Sequence, residues 1–215
     1  MTTSVSRALV FVAIVLTAGS CASSGSAQAP IVQPGAPGQP GRVLAPGEAA
    51  TLPHPGYTDA DVAFMQGMIH HHAQAVEMVE LLKTRTESDD MRKLGMRIEV
   101  SQEDEIKMMR HWLESRGQQA PDPYMMHDMP GMKLMPGMLT PEQMQALAAA
   151  KGTAFDKLFL EGMIRHHAGA ITMVHDLFAA PGAAQQSDIF AFASDVEADQ
   201  KMEIIRMSNM LEEIQ

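Results

Sequence analysis

Apolar and polar positions alternate with a helical period over four long stretches of this chain, and the first of them sets the pattern for the rest. From Asp61 to Leu82 the sequence reads DVAFMQGMIHHHAQAVEMVELL. Phe64, Met68, His71, Ala75, Met78 and Leu82 fall within an arc of roughly 80° at about 100° per residue, with Ile69, His72, Val76 and Val79 beside it. His71 and His72 are therefore expected on or at the edge of the buried face. His70 points elsewhere on the same wheel, and a solvated position is expected for it.

The stretch recurs 95 positions later. Asp156 to Phe178 reads DKLFLEGMIRHHAGAITMVHDLF, and Met163, His166, His167 and Met173 take the places of Met68, His71, His72 and Met78. Thr58 with Asp61 is a start signal of capping-box type, and Thr153 with Asp156 repeats it. A second helix is expected from about Asp89 to Arg116, with Ser88 as cap and Gly117 as stop. Its strongest face holds Gln102, Glu105, Met109 and Trp112. A fourth helix, from about Asp188 to the end, answers it with Gln200, Glu203, Met207 and Met210. The expected fold is all-α: a four-helix bundle of two similar hairpins, residues 57–215, with the homologous faces meeting around a pseudo-twofold axis.

The flanking segments read differently. Residues 1–20 carry Arg7, an apolar run from Ala8 to Leu16 and then small residues, the pattern of an export signal too short for a stable membrane span. Cys21 follows directly, as in a bacterial lipoprotein lipobox with Ala18 in place of the usual Leu; Ala27-Gln28-Ala29 offers an ordinary cleavage site instead. The protein is thus expected outside the cytoplasm, in the periplasm or on the outer surface, with membrane contact only through a lipid on Cys21. Residues 21–56 are rich in Gly, Pro, Ser and Ala and are expected to be a disordered tether.

Between the hairpins lies Pro121 to Thr140, PDPYMMHDMPGMKLMPGMLT. Met126, Met129, Met132, Met135 and Met138 recur every third residue, with Met125 and His127 added. Pro130-Gly131 and Pro136-Gly137 forbid a regular helix, and an extended polyproline-like chain would place the five thioethers along one edge. Thr140-Pro141 then starts a short helix to about Lys151.

Composition sharpens the chemistry. Twenty of 215 residues are Met, whereas aromatics are only 5%. The net charge of −10 argues against a nucleic-acid partner, since no basic stripe exists to release counterions. A single cysteine excludes an internal disulfide. Thioether and imidazole together select Cu(I), and by the same softness Ag(I), over Mg, Ca or Mn. Met68 lies three and four residues before His71 and His72, so sulfur and imidazole can converge across one turn; Met163, His166 and His167 can do the same. Core sites are expected at Met68, His71, His72 and Met78, and at Met163, His166, His167 and Met173. Glu105 and Glu203 would orient the imidazoles, and the loop methionines with His127 would capture Cu(I) exchangeably. The bland alternatives are core histidines satisfied by those glutamates, and gap-filling methionines.

The Asp-x-x-Phe-(x)3-Met-Ile-x-His-His pattern at 61–72 and 156–167, followed by Gln-x-x-Glu-Ile at 102–106 and 200–204, resembles the domain-of-unknown-function 305 (DUF305) family. Its members include CopM-like periplasmic copper-binding proteins with a ferritin-like bundle. The resemblance covers the chain from about Thr58 to its end. It implies extracytoplasmic copper binding connected with copper tolerance. Copper ions are the expected partners, with a copper-transfer protein as a second, and no enzymatic step is expected. A di-iron oxidase is disfavoured because no Glu is followed three residues later by His. A metal-free adaptor lipoprotein is the competing expectation.

Overall fold

The computed structural model describes residues 30–33, 40–45, 47–51, 56–125 and 134–214. The expected leader with Cys21, and Met126, His127, Met129 and Met132 of the loop, lie outside the described residues. The chain divides into two compact units, residues 1–53 and 54–215.

In the first unit the expected tether carries some local structure. Strand β1 (Val32–Gln33) pairs antiparallel with β2 (Arg42–Val43), Leu44 N–H donates to Ile31 O at 2.9 Å, and a 3-10 turn follows at Glu48–Thr51. The apolar pairs Ile31-Val32 and Val43-Leu44 at this ladder are too short for a period to register in the sequence.

The second unit contains five helices: α1 (Asp59–Arg85), α2 (Asp89–Glu114), the short α3 (Pro141–Ala149), α4 (Gly152–Ala179) and α5 (Ser187–Ile214). The four long ones form the expected bundle, α1 with α2 and α4 with α5 as hairpins, and α1 packs against α4 between them. None of the described helices is long and apolar enough to cross a membrane.

Two apolar clusters make the core. One joins Phe64, Met68 and Ala73 of α1 to Met109 and Trp112 of α2, Ala170 and Val174 of α4, and Ile189 and Val196 of α5. The other joins Met78 and Leu82 of α1 to Met91 and Ile98 of α2, Phe155, Phe159 and Met163 of α4, and Met207 of α5. The start of α1 thus meets the end of α4 and the reverse, so the two helices run antiparallel. Positions 71–72 and 166–167 fall between the clusters.

Helix starts show how far the duplication holds. Thr58 and Asp61 form the expected capping box: Asp61 N–H donates to Thr58 Oγ1 at 3.2 Å and Thr58 N–H to Asp61 Oδ2 at 2.7 Å. The second box does not form. Helix α4 begins at Gly152 (φ +55°), Lys151 caps it without a side-chain hydrogen bond, and Thr153 is already helical. Only Ala150 and Lys151 separate α3 from α4, so the helical backbone starts before Thr153 can act as a cap.

Asp61 does more than cap. Its Oδ1 accepts Ala184 N–H at 2.7 Å, fastening the α4–α5 turn, where Ala184 has φ +53°. Asp61→Ala is expected to cost about 2–3 kcal/mol, because a helix cap and a buried N–H lose their acceptor together. A urea melt checks this, with Asp156→Ala as control, since Asp156 Oδ1 meets no hydrogen-bond partner among the described residues.

Candidate metal centre

Four histidines form a polar slab between the apolar clusters. His71, His72, His166 and His167 are each at most 1% exposed. The long helices place them there because each pair lies on the face where α1 meets α4. His71 and His166 stack with ring centroids 3.8 Å apart and planes inclined by 34°. The two repeats therefore meet ring to ring.

Each outer histidine of the slab has a glutamate. His72 Nε2 lies 2.5 Å from Glu105 Oε2, and His167 Nε2 lies 2.5 Å from Glu203 Oε2. The homologous faces of α2 and α5 supply these carboxylates, as the sequence pattern implied. Burial raises the Glu105 carboxyl's pKa, but hydrogen bonds from His72 and the Ser101 hydroxyl outweigh it and hold the group below its ordinary value. The inner pair bonds to backbone instead. His71 Nε2 donates to Pro136 O at 3.0 Å and His166 Nε2 to His71 O at 2.9 Å.

Those carbonyl partners decide the tautomers. A carbonyl only accepts, so both Nε2 atoms carry the hydrogen and both Nδ1 atoms present lone pairs. Burial, with the neighbouring His72, pushes the His71 pKa down to about 3, and burial with His71 pushes His166 well below its ordinary value. Both rings are neutral at neutral pH. Nδ1 of all four histidines is buried and meets no hydrogen-bond partner among the described residues. A satisfied core histidine explains the Nε2 atoms and leaves the buried Nδ1 lone pairs of His71 and His166 unused, an arrangement costing about 1–3 kcal/mol each in general.

The thioethers are distributed differently from the expected single-repeat sets. Met68 and Met78 are ten residues apart on one helix, about 15 Å along its axis, and belong to opposite clusters. The helix crossing puts Met68 in the first cluster with Met173 packed against it, and Met78 and Met163 in the second. Gly67 and Gly162 allow this. A Cβ at Gly67 would lie 3.5 Å from Met173 Cε, and one at Gly162 would lie 3.2 Å from Met78 Cε. These glycines repeat in the sequence at the same offset of 95.

The end of the loop, from residue 134, packs on the slab, with Pro136 O accepting from His71. This described end is a turn, with Met138 N–H donating to Met135 O at 3.2 Å and Gly137 at φ +76°, so the extended ladder is not kept there. Pro136-Gly137 sits at the central positions that favour such a turn. Gln74, fully buried, clamps the segment: its Nε2 donates to Leu139 O at 2.9 Å and its Oε1 accepts Leu139 N–H at 2.7 Å. Met135, Met138 and Leu139 are thereby drawn in, while Met125 stays 70% exposed. His70 is not solvated as expected: it is 6% exposed, and its Nδ1 lies 3.1 Å from Pro123 O, because the segment after α2 folds back over it. Gln74→Ala is expected to cost about 2–4 kcal/mol by orphaning a buried N–H and C=O, with thermal unfolding as the measurement.

Among the described residues no three His, Cys, Asp or Glu side chains converge as ligands for one ion. The slab instead offers neutral nitrogen lone pairs beside neutral thioethers. This donor set stabilises a soft monovalent cation and gives little to a hard divalent one.

The molecule is a duplicated helical-hairpin bundle with a buried histidine layer flanked by methionine. It belongs to the family described as Domain of unknown function (DUF305), whose model matches residues 61–211. Solved structures of that family agree. A DUF305 protein from Streptomyces coelicolor is 28% identical, with TM-score 0.63 over 72% of this chain and 93% of that one. A DUF305 fragment from Deinococcus radiodurans is 28% identical, with TM-score 0.64 over 74% of this chain and 99% of that one. CopM in its Cu(II)-bound form is 27% identical, with TM-score 0.58 over 72% of this chain and 97% of that one, and CopM was also solved with Cu(I) and with Ag. No curated protein matches the chain.

Proposed function

We propose that this protein holds copper outside the cytoplasm, capturing Cu(I) through Met and His side chains for storage, sequestration or hand-over. The observation that carries this reading is the slab of four buried imidazoles whose Nδ1 atoms meet no partner among the described residues. Its support is membership of the family that includes CopM, which has been solved with Cu(II), Cu(I) and Ag. The ligand candidates are His71, His72, His166 and His167 with Met68, Met78, Met163 and Met173. Glu105 and Glu203 position His72 and His167. The loop from Met125 to Met138, with His127, collects or hands over ions. Export and a lipid on Cys21 rest on the N-terminal sequence pattern. No catalytic step is proposed.

The test is anaerobic Cu(I) competition against a chromogenic chelator. The wild type is expected to take Cu(I) from it; a protein that takes none even from a weak chelator is a metal-free adaptor instead. A variant with Met125, Met126, Met129 and Met132 changed to Leu is expected to lose the weakly held part of the stoichiometry and keep the tightly held part. An unchanged isotherm would remove these four methionines from copper capture.

A further inference from the structure

The two halves of the centre are not equivalent, and the difference lies in the loop. At Gly67 the space of a missing Cβ is approached by Met135 Sδ at 3.3 Å and Met173 Cε at 3.5 Å. At Gly162, the matching position, the corresponding approaches are by Leu139 Cδ2 at 3.2 Å and Met78 Cε at 3.2 Å. One pocket therefore has a thioether from the loop and another from the opposite helix. Among the described residues its counterpart is approached by one thioether and by an isobutyl group, which cannot bind an ion.

An imidazole neighbours this space along the helix. His71 lies one helical turn after Gly67, and helical side chains lean back toward the preceding turn. Its Nε2 donates to the carbonyl of Pro136, the residue that follows Met135, so ring and loop sulfur are tied to the same stretch of backbone. Its Nδ1 is buried and meets no partner among the described residues. At the other end His166 donates to His71 O rather than to the loop.

We propose that Met135, Met173 and His71 Nδ1 form a single tight site for a soft monovalent cation, Cu(I) or Ag(I), built jointly by the loop and both hairpins, and that the Gly162 pocket is its ligand-poor counterpart. The proposal rests on the copper-holding reading and adds which residues hold the first ion and how many such ions there are. Two thioethers and one neutral imidazole leave the ion its single positive charge, and three soft or borderline donors suit it. Burial keeps water from competing for the ion. Met135 is only half-buried, which places the exchangeable ligand on the segment that reaches solvent.

Anaerobic Cu(I) competition on the wild type, Met135→Leu and Leu139→Met tests the assignment, with circular dichroism to establish that each is folded. Both changes nearly conserve volume. The wild type is expected to bind one equivalent tightly. Met135→Leu is expected to weaken that equivalent by at least roughly tenfold, the scale at which even groups outside a metal's own ligands act. Leu139→Met is expected to gain a second tight equivalent. In protein labelled at the Met methyls, the first equivalent of Ag(I) is expected to shift the Met135 and Met173 resonances. A first equivalent bound as tightly by Met135→Leu as by the wild type overturns the proposal, as does no second equivalent in Leu139→Met, or a first Ag(I) that shifts Met78 and Met163 instead. A wild type that takes up no copper at all sinks the functional reading itself, a result distinct from these.

Discussion

Gly169→Ala is expected to destabilise the protein by about 3–4 kcal/mol, at the upper end of what single substitutions do. The loop backbone presses directly on α4 at this residue. A Cβ there would overlap Pro136 O and lie 2.7 Å from Gly137 N. Neither atom can swing aside like the tip of a side chain. Gly137 is held in turn, since its φ of +76° suits Gly and a Cβ on it would lie 2.9 Å from Gly169 Cα. The alanine must therefore push the segment off the bundle, and with it go the acceptor of His71 Nε2 and the bonds of Leu139 to Gln74. Gly162→Ala is the control. Its new methyl would meet only the tips of Leu139 and Met78, at 3.2 Å, and a cost below about 1.5 kcal/mol is expected when such tips can shift. Urea denaturation of both variants measures the difference; equal small losses would mean that the loop is not docked on α4.

The double substitution His71→Leu with His166→Leu is expected to separate stability from metal binding. Without metal, two buried imidazoles with unused lone pairs give way to apolar side chains, at the cost of leaving Pro136 O and the carbonyl of residue 71 without their imidazole donors. A net change within about 1–2 kcal/mol is expected. Copper tells the other half. A ligand at 100 times its dissociation constant stabilises the native state by about 2.7 kcal/mol, and this Cu(I)-dependent rise in unfolding temperature is expected in the wild type and absent from the variant. If the histidines served only the core, the wild type would show no copper-dependent rise, and the variant's sole phenotype would be its change in stability.

The parts of this arrangement differ in how readable they were, for physical reasons. Apolar periodicity and cap residues are local, so α1, α2 and α5, the Ser88 cap and the stop at Gly117 follow from nearest neighbours along the chain. His71 and His72 belonged to the buried arc of the wheel on the same grounds. The wheel failed for His70 because burial by a segment more than fifty residues away leaves no trace in the helix's own period. The second capping box failed because the short link from α3 imposes helical backbone on Thr153, whatever its propensity. The methionine ladder failed at Met135 to Met138 because the Pro-Gly turn outweighs a three-residue repeat of side chains.

By itself, then, the sequence determined a duplicated pair of helical hairpins, the burial of a His-His pair in each, and the soft character of the donors, all of which depend on residue type and local spacing. The tertiary structure alone decided how those donors are grouped. Antiparallel crossing of α1 and α4 brings Met173 to Gly67 and Met78 to Gly162, each from the opposite repeat, and sets His71 against His166. Docking of the loop at Gln74 and Gly169 brings Met135 to one pocket and Leu139 to the other. Such groupings arise from close approach between segments distant in sequence, where the absence of a Cβ decides which side chains can meet.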